Sequence, residues 1–438
     1  METGMNSRGS VFFFLLFLTL LCGLGALYYV KGEWTPPMLT LTPQQSTVGL
    51  KTVFTLTAAD TDSDLRRLEV VAHQGSNTVS ILSKDIAPQT RDIQEQFSLP
   101  AQGLKNEPVT LVATVTDTSW HRFGRGNKAE VRQEMALDLK PPVISVLSGQ
   151  HNVNQGGAGC LVYSTNEELA RSGVQVGSYF FPGYPYQGGK YICFFALPYE
   201  VDPKAVTPVL VAEDLANNAV TTGFFFRPLL KKFKHDSINI SDNFLQSKMG
   251  QFVDIYPGLS LVDVFLKVNS ELRAKNVAFL KELGTDTVPQ MLWEGTFVRL
   301  PNSAPMAGFG DNRTYMYQNN PIDNQTHLGA DLASLVTSPV PAGNTGRVIL
   351  AEFMGIYGNV IVLDHGFGVH SLYSHLSEIH VHKGDTVQRS QIIGKTGATG
   401  MAGGDHLHFG MLISGIQVQP IEWWDSHWIR DNITAKLN

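Results

Sequence analysis

Short apolar segments flanked by turn residues follow one another from residue 35 onward, and they restrict the folds that this chain can adopt. In the first hundred residues of this region they are rich in Val, Leu and Thr, and comprise Leu39–Thr42, Val53–Thr57, Leu68–Ala72 and Val109–Val115. Short segments with many β-branched side chains between turn residues are typical of β-strands. The sequence therefore predicts a mainly β protein.

The same order of features occurs twice in the first half of the chain. In the first block a strand-like segment leads to Asp117 and then to Gly126-Asn127, and in the second a similar segment leads to Asp214 and then to Asn217-Asn218. A repeat of about 100 residues is the size of an immunoglobulin-like sandwich. Both blocks resemble bacterial Ig-like modules, in which a strand, an Asp and such a turn lead into the last strand.

Histidine is concentrated towards the C-terminal end, where nine of the thirteen histidines lie between His327 and His427. In His406-Leu407-His408 the two imidazoles are two residues apart, and in a strand such residues point to the same face. Their Cα atoms would lie roughly 7 Å apart, close enough for the two rings to serve one site in different roles. A site built from histidine is the first functional hypothesis.

A carboxylate and a further histidine come earlier in the same region. In a straight strand the Cα atoms of His327 and Asp331 would be about 13 Å apart, so the segment must bend if both bind one ion. Gly329 between them permits such a bend. Two imidazoles and one carboxylate, with a fourth position open, suit catalytic zinc. Spacing alone does not decide which histidines bind the metal.

Three motifs in this order resemble the lysostaphin-type (M23) zinc metallopeptidases. They are His-x-Gly-x-Asp at 327–331, Tyr-Ser-His-Leu at 373–376 and Gly-Asp-His-Leu-His-Phe-Gly at 404–410. The resemblance covers roughly residues 291–426. It implies Zn²⁺ as cofactor, with His327, Asp331 and His408 as metal ligands and His375 and His406 as the catalytic pair.

The resemblance also implies a function, a zinc metalloendopeptidase that hydrolyses the peptide cross-links of peptidoglycan. The main alternative is a LytM-type regulator, since some members of the family have lost their ligands and instead activate a cell-wall amidase. The intact ligand set of this chain favours the enzyme. A third alternative is an adhesion protein in which the Ig-like modules provide the main function.

A near-continuous apolar run, Val11–Val30, is long enough to cross a bilayer as a helix. Tyr28, Tyr29 and Trp34 at its far end are typical of a membrane interface. A cleaved signal peptide would use the shorter run to Cys22, but the full run favours an uncleaved anchor. We expect a single-pass protein of the bacterial inner membrane with its catalytic domain in the periplasm; the alternative is secretion after cleavage.

Together these features predict five segments: a membrane anchor or signal at 1–34, Ig-like β-sandwiches at 35–140 and 141–228, a helical connector at 229–290, and an antiparallel β M23 peptidase domain of duplicated hybrid motif type at 291–430. The Ig-like modules are spacers, bind an envelope protein partner or cover the active site. The aromatic stretch 178–186 indicates a contact with another domain.

Two local predictions concern the second half of the chain. Residues 260–276 read as a helix capped by Ser260, with an apolar stripe that packs against the catalytic domain. Residues 358–376 read as a β-hairpin. On its second strand Ser371, Tyr373 and His375 would share one face, which would aim His375 into the site.

The net charge bears on nucleic-acid binding, and the cysteines raise the question of a disulfide bond. The net charge of −6 gives no indication of nucleic-acid binding. Cys160 and Cys193 lie in strand-like segments and are expected to form a disulfide in an oxidising compartment, the alternative being two buried free thiols.

Arg313, in a turn-like segment ahead of His327, is expected to set up the sheet or to contact substrate. The remaining histidines of the region are predicted to be solvated or hydrogen-bonded: His365, His370, His380, His382 and His427.

Overall fold

The computed structural model describes residues 7–437, with 43% of the chain in strands and 19% in helices, so the protein is mainly β as predicted. It divides into two compact units. The first consists of the chain up to Pro141 together with Glu213–Ala219, and the second of Pro142–Ala212 and the chain from Val220 onward. The first six residues of the predicted N-terminal segment lie outside the described residues.

The first unit begins with helix α1, Ser7–Lys31. Within it Val11–Val30 is long and apolar enough to cross a membrane, and none of this window is buried inside the protein. The predicted helix is therefore present. A membrane anchor and a signal sequence both meet this description.

The strands of the first unit form two sheets on one core. They are β1 Met38–Thr42, β2 Thr47–Val48, β3 Phe54–Ala59, β4 Leu65–Gln74, β5 Asn77–Asp85, β6 Asp92–Phe97, β7 Pro108–Asp117 and β8 Lys128–Leu137, with a short helix α2 at His121–Gly124. One sheet has the order β1-β3-β6 and the other β2-β8-β7-β4-β5. Alternate residues of β7 are buried, and Leu111 and Val115 share the core with Phe54 and Leu56 of the facing sheet.

The second block folds into further short sheets. Its strands are β9 Ile144–Val146, β10 His151–Asn154, β11 Ala158–Thr165, β12 Leu169–Val176, β13 Tyr179–Pro182, β14 Tyr184–Tyr186, β15 Lys190–Ala196, β16 Val209–Asp214, β17 Ala219–Gly223 and β18 Phe226–Leu229. Two four-stranded sheets have the orders β14-β15-β11-β9 and β13-β12-β16-β17, and β10 pairs in parallel with β18.

The two cysteines of this block are buried free thiols, so the expected disulfide is wrong. Cys160 pairs with Phe194 across the neighbouring strands β11 and β15, and Cys193 pairs with Leu161. Because residues opposite each other in an antiparallel pair share a face and successive residues alternate, the two thiols point to opposite faces of the sheet. Burial raises the pKa of the Cys160 thiol to about 12.

The last part of the second unit contains the largest sheet. Its strands are β19 His235–Asn239, β20 Ala304–Ala307, β21 Asn312–Tyr317, β22 Asn320–Thr326, β23 Ala330–Ala333, β24 Pro339–Pro341, β25 Gly346–Phe353, β26 Asn359–Asp364, β27 Val369–Leu376, β28 Glu378–Ile379, β29 Thr386–Val387, β30 Ile392–Lys395, β31 Leu407–Ile413 and β32 Ile416–Val418. The main sheet has the order β20-β23-β31-β27-β26-β25-β29, with β32 paired to β31, and the sheets β24-β30-β28 and β19-β21-β22 complete this part. The predicted hairpin is β26 and β27.

The helix predicted to begin at Ser260 is present and packs as expected, and the range 229–290 also contains strand β19. The helices of this range are α3 Asp242–Met249, α4 Leu261–Lys267 and α5 Arg273–Leu283, with a π-helical turn, Val268–Leu272, joining α4 to α5; α6 Ile421–Trp424, α7 Ser426–Ile429 and α8 Ala435–Leu437 lie near the C-terminus. The Ser260 side chain accepts the Asp263 backbone N–H and so caps α4, as predicted. Val264 and Phe265 are fully buried in one core with Val362 and Leu372 of the main sheet.

The second β-block and the main sheet also share a core within the second unit. The Trp423 ring lies 5.5 Å from Phe297 and 6.4 Å from Phe194, measured between ring centroids. Tyr184 and Tyr186 of the aromatic stretch contact Phe367, with centroids 5.6 and 6.2 Å away. The stretch therefore makes aromatic contacts within the second unit, and a contact with a separate domain stays a prediction.

Glu422 is a buried carboxylate in the same region, 5% exposed, that accepts hydrogen bonds from Asn154 Nδ2 and the Ala158 N–H at 2.8 and 2.9 Å. Burial raises its pKa from 4.5 to about 7; these two bonds and the charge of Lys231 oppose the rise. A carboxyl with a raised folded-state pKa contributes stability below its unfolded pKa, and the contribution is lost as the pH rises through 7.

We therefore expect the free energy of unfolding of the wild type, relative to Glu422→Gln, to fall between pH 4.5 and 8 by about 3 kcal/mol. Urea denaturation of both proteins across this range measures the difference. The exposed carboxylate Glu352 provides the control variant, Glu352→Gln, whose unfolding should follow that of the wild type. Parallel pH profiles for the wild type and Glu422→Gln would contradict this account.

Candidate metal centre and active site

His327 and Asp331 meet because the chain bends between two strands. β22 ends at Thr326 and β23 begins at Ala330, so the residues from 327 to 329 are free of strand geometry. His327 Nε2 lies 2.9 Å from Asp331 Oδ1. The bend predicted from the four-residue spacing is present.

Gly329 is required for close approach. A Cβ at this position would lie 2.5 Å from both Cε1 and Nε2 of His408, and 2.8 Å from the carbonyl oxygen of Phe409. Any side chain would therefore displace the His408 ring or the strand that carries it. The expectation that Gly329 permits the bend accounts for only part of its role.

His408 completes a compact group of three donor atoms. It lies on β31 directly opposite Asp331 on β23. Its Nδ1 is 2.9 Å from Asp331 Oδ1 and 2.9 Å from His327 Nε2. The three atoms thus form a triangle with nearly equal sides, and all three residues are less than 9% exposed.

His375 reaches the same site by a route that strand alternation does not predict. Ser371 and Tyr373 do share one face of β27, but the Tyr373 ring lies in the core and its hydroxyl accepts the Gly343 N–H. The register with β26 shifts in this region, and His375 has a φ of 63°. This irregularity re-aims the His375 side chain, so the ring lies 5.8 Å from His408. His375 does point into the site as predicted, but the reason given, a face shared with Ser371 and Tyr373, is wrong.

His406 is the fifth predicted residue, and it lies beside the other four. Its ring is 4.9 Å from the ring of His375, and its Nε2 is 3.6 Å from Asp331 Oδ1. Both rings are oriented by backbone carbonyls, because His406 Nδ1 is 2.9 Å from the Gly404 oxygen and His375 Nδ1 is 2.9 Å from the Thr399 oxygen. In the tautomers in which Nδ1 donates these bonds, both Nε2 atoms carry lone pairs.

Two further groups hold the donor atoms in place. His327 Nδ1 donates to the Gly308 carbonyl at 2.8 Å, which leaves Nε2 as the acceptor directed at Asp331. Arg313 Nη2 donates to Asp331 Oδ2 at 2.9 Å, so Oδ1 alone faces the two histidines. Arg313 therefore contacts a predicted metal ligand, a role that its turn-like sequence context did not reveal.

The electrostatics of the site favour an ionised Asp331 beside neutral imidazoles of His375 and His408. Burial opposes ionisation of Asp331, but the neighbouring His327, His406 and His408 hold its pKa well below the usual range. Burial lowers the pKa of His408 to about 4. Burial, and then the neighbouring His406 and His408, hold the pKa of His375 well below its usual range.

The donor set fits a divalent cation. Two imidazole nitrogens 2.9 Å apart can share only one proton, and the carboxylate oxygen beside both is also an acceptor. A cation between the three atoms would satisfy all of their lone pairs at once. Two nitrogens and one carboxylate oxygen, with a position left open, are typical of catalytic zinc.

All five residues line one cavity of about 390 Å³. The connector contributes Phe244 and Phe265 to its wall, and the turn before β31 contributes Met401. A second cavity of about 760 Å³, lined in part by Phe297 and Trp424, shares Met306 and Ala307 with the first. The predicted metal site thus lies in a cavity that borders a second, larger one.

The remaining histidines have the ordinary roles predicted for them. His365 is buried, with Nδ1 2.7 Å from the Thr345 oxygen and Nε2 2.7 Å from Ser371 Oγ. His370 is also buried, and His380 pairs with Glu378 at 3.0 Å. His382 and His427 are exposed. None of these five histidines lines the cavity that contains the five positions identified by the motifs.

Comparison with known proteins identifies the domain that carries this site. Residues 325–420 match the model of "Peptidase family M23". The chain is 33% identical over 122 residues to the DD-carboxypeptidase/endopeptidase Mpg of Neisseria meningitidis serogroup B, which covers 27% of this chain and 28% of that protein. It is 36% identical over 96 residues to the peptidoglycan DD-endopeptidase ShyA of Vibrio cholerae serotype O1, covering 22% of each.

Among solved structures, the catalytic domain of the antimicrobial peptidase lysostaphin from Staphylococcus simulans is 30% identical, with a TM-score of 0.25; the match covers 29% of this chain and 96% of that domain. The chain spans less than a third of the length of the curated relatives described above. The similarity to them therefore extends over less than a third of this chain. On the match to residues 325–420, the chain carries a domain of peptidase family M23.

Proposed function

We propose that this protein is a zinc metalloendopeptidase that hydrolyses peptide cross-links of peptidoglycan in the cell envelope. The observation that carries the proposal is the triangle of His327 Nε2, Asp331 Oδ1 and His408 Nδ1, with two further imidazoles in the same cavity. Relatives named as peptidoglycan DD-endopeptidases support the choice of substrate. Zinc held by the three residues would supply Lewis acidity toward the scissile carbonyl and the attacking water.

His375 and His406 are the residues to which we assign proton transfer and stabilisation of the oxyanion. Neither belongs to the triangle of donor atoms, and each has its Nδ1 fixed by a carbonyl oxygen. Their Nε2 atoms are thereby oriented, one as an acceptor for a proton and the other, when protonated, as a donor. Their ring separation of 4.9 Å lets both reach one bound peptide bond.

The second cavity, which borders the predicted metal site, suits an extended peptide. Its walls are apolar at Phe297, Pro305 and Trp424, and a cation, Arg299, lies over the Trp424 ring at 5.6 Å. Apolar walls with one charged group are typical of sites that hold a ligand in one orientation. We assign this cavity to the stem peptide next to the cleaved bond.

Zinc analysis together with peptidoglycan digestion tests the proposal. We expect one zinc per chain in the wild type and release of cleaved muropeptides, and we expect the His327→Ala variant to lose both. His382→Ala, which removes an exposed histidine, is the matched control and should retain both. Equal digestion by wild type and His327→Ala would refute the mechanism, and zinc binding without digestion of any defined muropeptide would favour the regulator of a cell-wall amidase.

Arg313 provides a finer test of the metal centre. Its substitution by methionine removes the hydrogen bond to Asp331 Oδ2 and leaves that oxygen free to rotate. We expect zinc binding about 10–100-fold weaker, as for other groups that orient metal ligands. Competition with a chromophoric chelator measures the affinity. Arg430→Met, at an exposed arginine paired with Asp431, should leave it unchanged; an unchanged affinity in Arg313→Met would exclude a positioning role.

The setting of the peptidase domain is also part of the proposal. We assign α1 to anchoring in the bacterial inner membrane, with the catalytic domain in the periplasm; secretion after cleavage is the alternative. We further propose that residues 35–140 and 141–228 are Ig-like modules, that 229–290 is the connector, and that 291–430 is a peptidase domain of duplicated hybrid motif type. Binding of an envelope protein partner by the first module is tested by deleting residues 35–140 and comparing the envelope proteins that co-purify with the full and the shortened chain; an unchanged set would exclude it for this module.

A further inference from the structure

Three carboxylates of the first unit, far apart in sequence, meet just after α1. Glu33 follows the end of α1 by two residues, Asp60 follows β3, and Asp117 ends β7. One oxygen of each lies within 4.8 Å of an oxygen of the other two. The fold of this unit therefore gathers three acidic side chains that no local motif would place together.

Two of these side chains are fixed in place through one oxygen each. Asp60 Oδ1 accepts the backbone N–H groups of Asp62 and Ser63, at 2.8 and 2.9 Å. Asp117 Oδ1 accepts the N–H and the hydroxyl of Ser119, at 3.0 and 2.7 Å. These bonds orient the carboxylates and leave the second oxygen of each directed elsewhere.

One oxygen of each of the three carboxylates is buried and accepts no hydrogen bond. Asp60 Oδ2, Asp117 Oδ2 and Glu33 Oε1 have no hydrogen-bond donor anywhere in residues 7–437. Asp117 is fully buried, and Asp60 is 8% exposed. Buried carboxylate oxygens without a partner cost free energy, so this arrangement points to a ligand that would satisfy all three.

The equivalent position of the repeated block shows how such an oxygen is otherwise satisfied. There Asp214 Oδ2 accepts Asn218 Nδ2 at 3.0 Å. In the first block the matching amide of Asn127 turns away and donates to the Glu33 carbonyl at 3.2 Å. Asp117 Oδ2 is thereby left without a donor, and the Asn127 amide joins the segment after α1 to the sandwich.

The charge around the three carboxylates is also unbalanced. In the described part of the chain no lysine or arginine forms an ion pair with any of them. Burial raises the pKa of Glu33. A hydrogen bond from Ser63 lowers this pKa, and the charges of Asp60, Asp117 and Asp62 raise it. A cation would remove this repulsion.

We infer that Glu33, Asp60 and Asp117 bind a calcium ion that ties the segment after α1 to the first β-sandwich. A set of donor atoms that are all oxygens does not favour the softer transition-metal ions. Calcium accepts six to eight oxygens in flexible geometry, so three carboxylates fixed by the fold, together with backbone oxygens or water, form a suitable site. The inference is independent of the peptidase activity, because the zinc site belongs to the second unit.

Terbium luminescence on the full-length protein in detergent tests this site. Terbium replaces calcium, and Trp34, next to Glu33, can sensitise its emission. After treatment with chelator, we expect saturable emission that calcium displaces, with a dissociation constant for calcium of about 10⁻⁴–10⁻³ M, the range of extracellular modules. Glu33→Gln should weaken calcium binding at least about tenfold, because the ligand charge falls by one.

Two controls make the result decisive. Asp92→Asn removes one exposed carboxylate from the same unit and should bind calcium like the wild type, and so should His327→Ala. Asp60→Asn keeps the Oδ1 acceptor and should weaken binding like Glu33→Gln while retaining the β-type circular dichroism spectrum. Absence of displaceable emission in the wild type, or equal calcium affinity in wild type, Glu33→Gln and Asp60→Asn, would overturn the inference.

Discussion

Replacing His375 with alanine is expected to lower the kcat of peptidoglycan peptide hydrolysis by about 10²–10⁴-fold, while the zinc content stays at that of the wild type. His375 lies beside the triangle of donor atoms, and the Thr399 carbonyl fixes its ring. Its loss therefore removes a group positioned for proton transfer without removing a metal donor. Single-turnover digestion of a defined cross-linked muropeptide, with zinc measured on the same sample, gives both quantities.

The comparison with other histidine substitutions separates chemistry from structure. His380→Ala removes an imidazole that is paired with Glu378 outside the cavity and should retain full activity. His408→Ala should lose zinc and activity together, since its Nδ1 is one of the three donors. A kcat for His375→Ala within twofold of the wild type would contradict its assigned role, and loss of zinc in this variant would make it a structural residue of the metal site.

Much of the fold and the site follows from local sequence. The four strands predicted in the first block and the helix capped by Ser260 are present, because strand and helix periodicity and capping depend on neighbouring residues. The bend from His327 to Asp331 could be inferred because a straight strand would separate their side chains too widely. The five residues that the motifs identified all line one cavity.

The remaining features depend on residues that are distant in sequence. The orientation of His375 follows from a change of register between β26 and β27, and strand alternation alone gave the wrong face. The carbonyls of Gly308 and Thr399 orient two histidines, but any residue type supplies a carbonyl, so no sequence signal marks them. The disulfide prediction was wrong because a one-residue offset between β11 and β15 puts the thiols on opposite faces.

Replacing Trp423 with alanine is expected to destabilise the second unit by about 3–5 kcal/mol, the usual cost of removing a large aromatic side chain from a core. Trp423 is fully buried, and its ring contacts Trp293 and Phe297 with centroids 5.6 and 5.5 Å away. The surrounding core joins the second β-block to the main sheet. Urea denaturation followed by far-ultraviolet circular dichroism measures the change in the free energy of unfolding.

Two further variants show whether the loss comes from the cavity. Trp423→Phe restores part of the volume and should cost less than Trp423→Ala, whereas Trp120→Ala removes an indole that is 56% exposed and should change stability by less than about 0.5 kcal/mol. Because the shared core is continuous, the second β-block and the peptidase domain should unfold in one transition. A change below about 1 kcal/mol in Trp423→Ala would mean that neighbouring side chains fill the space, and that the two parts are held together by other contacts.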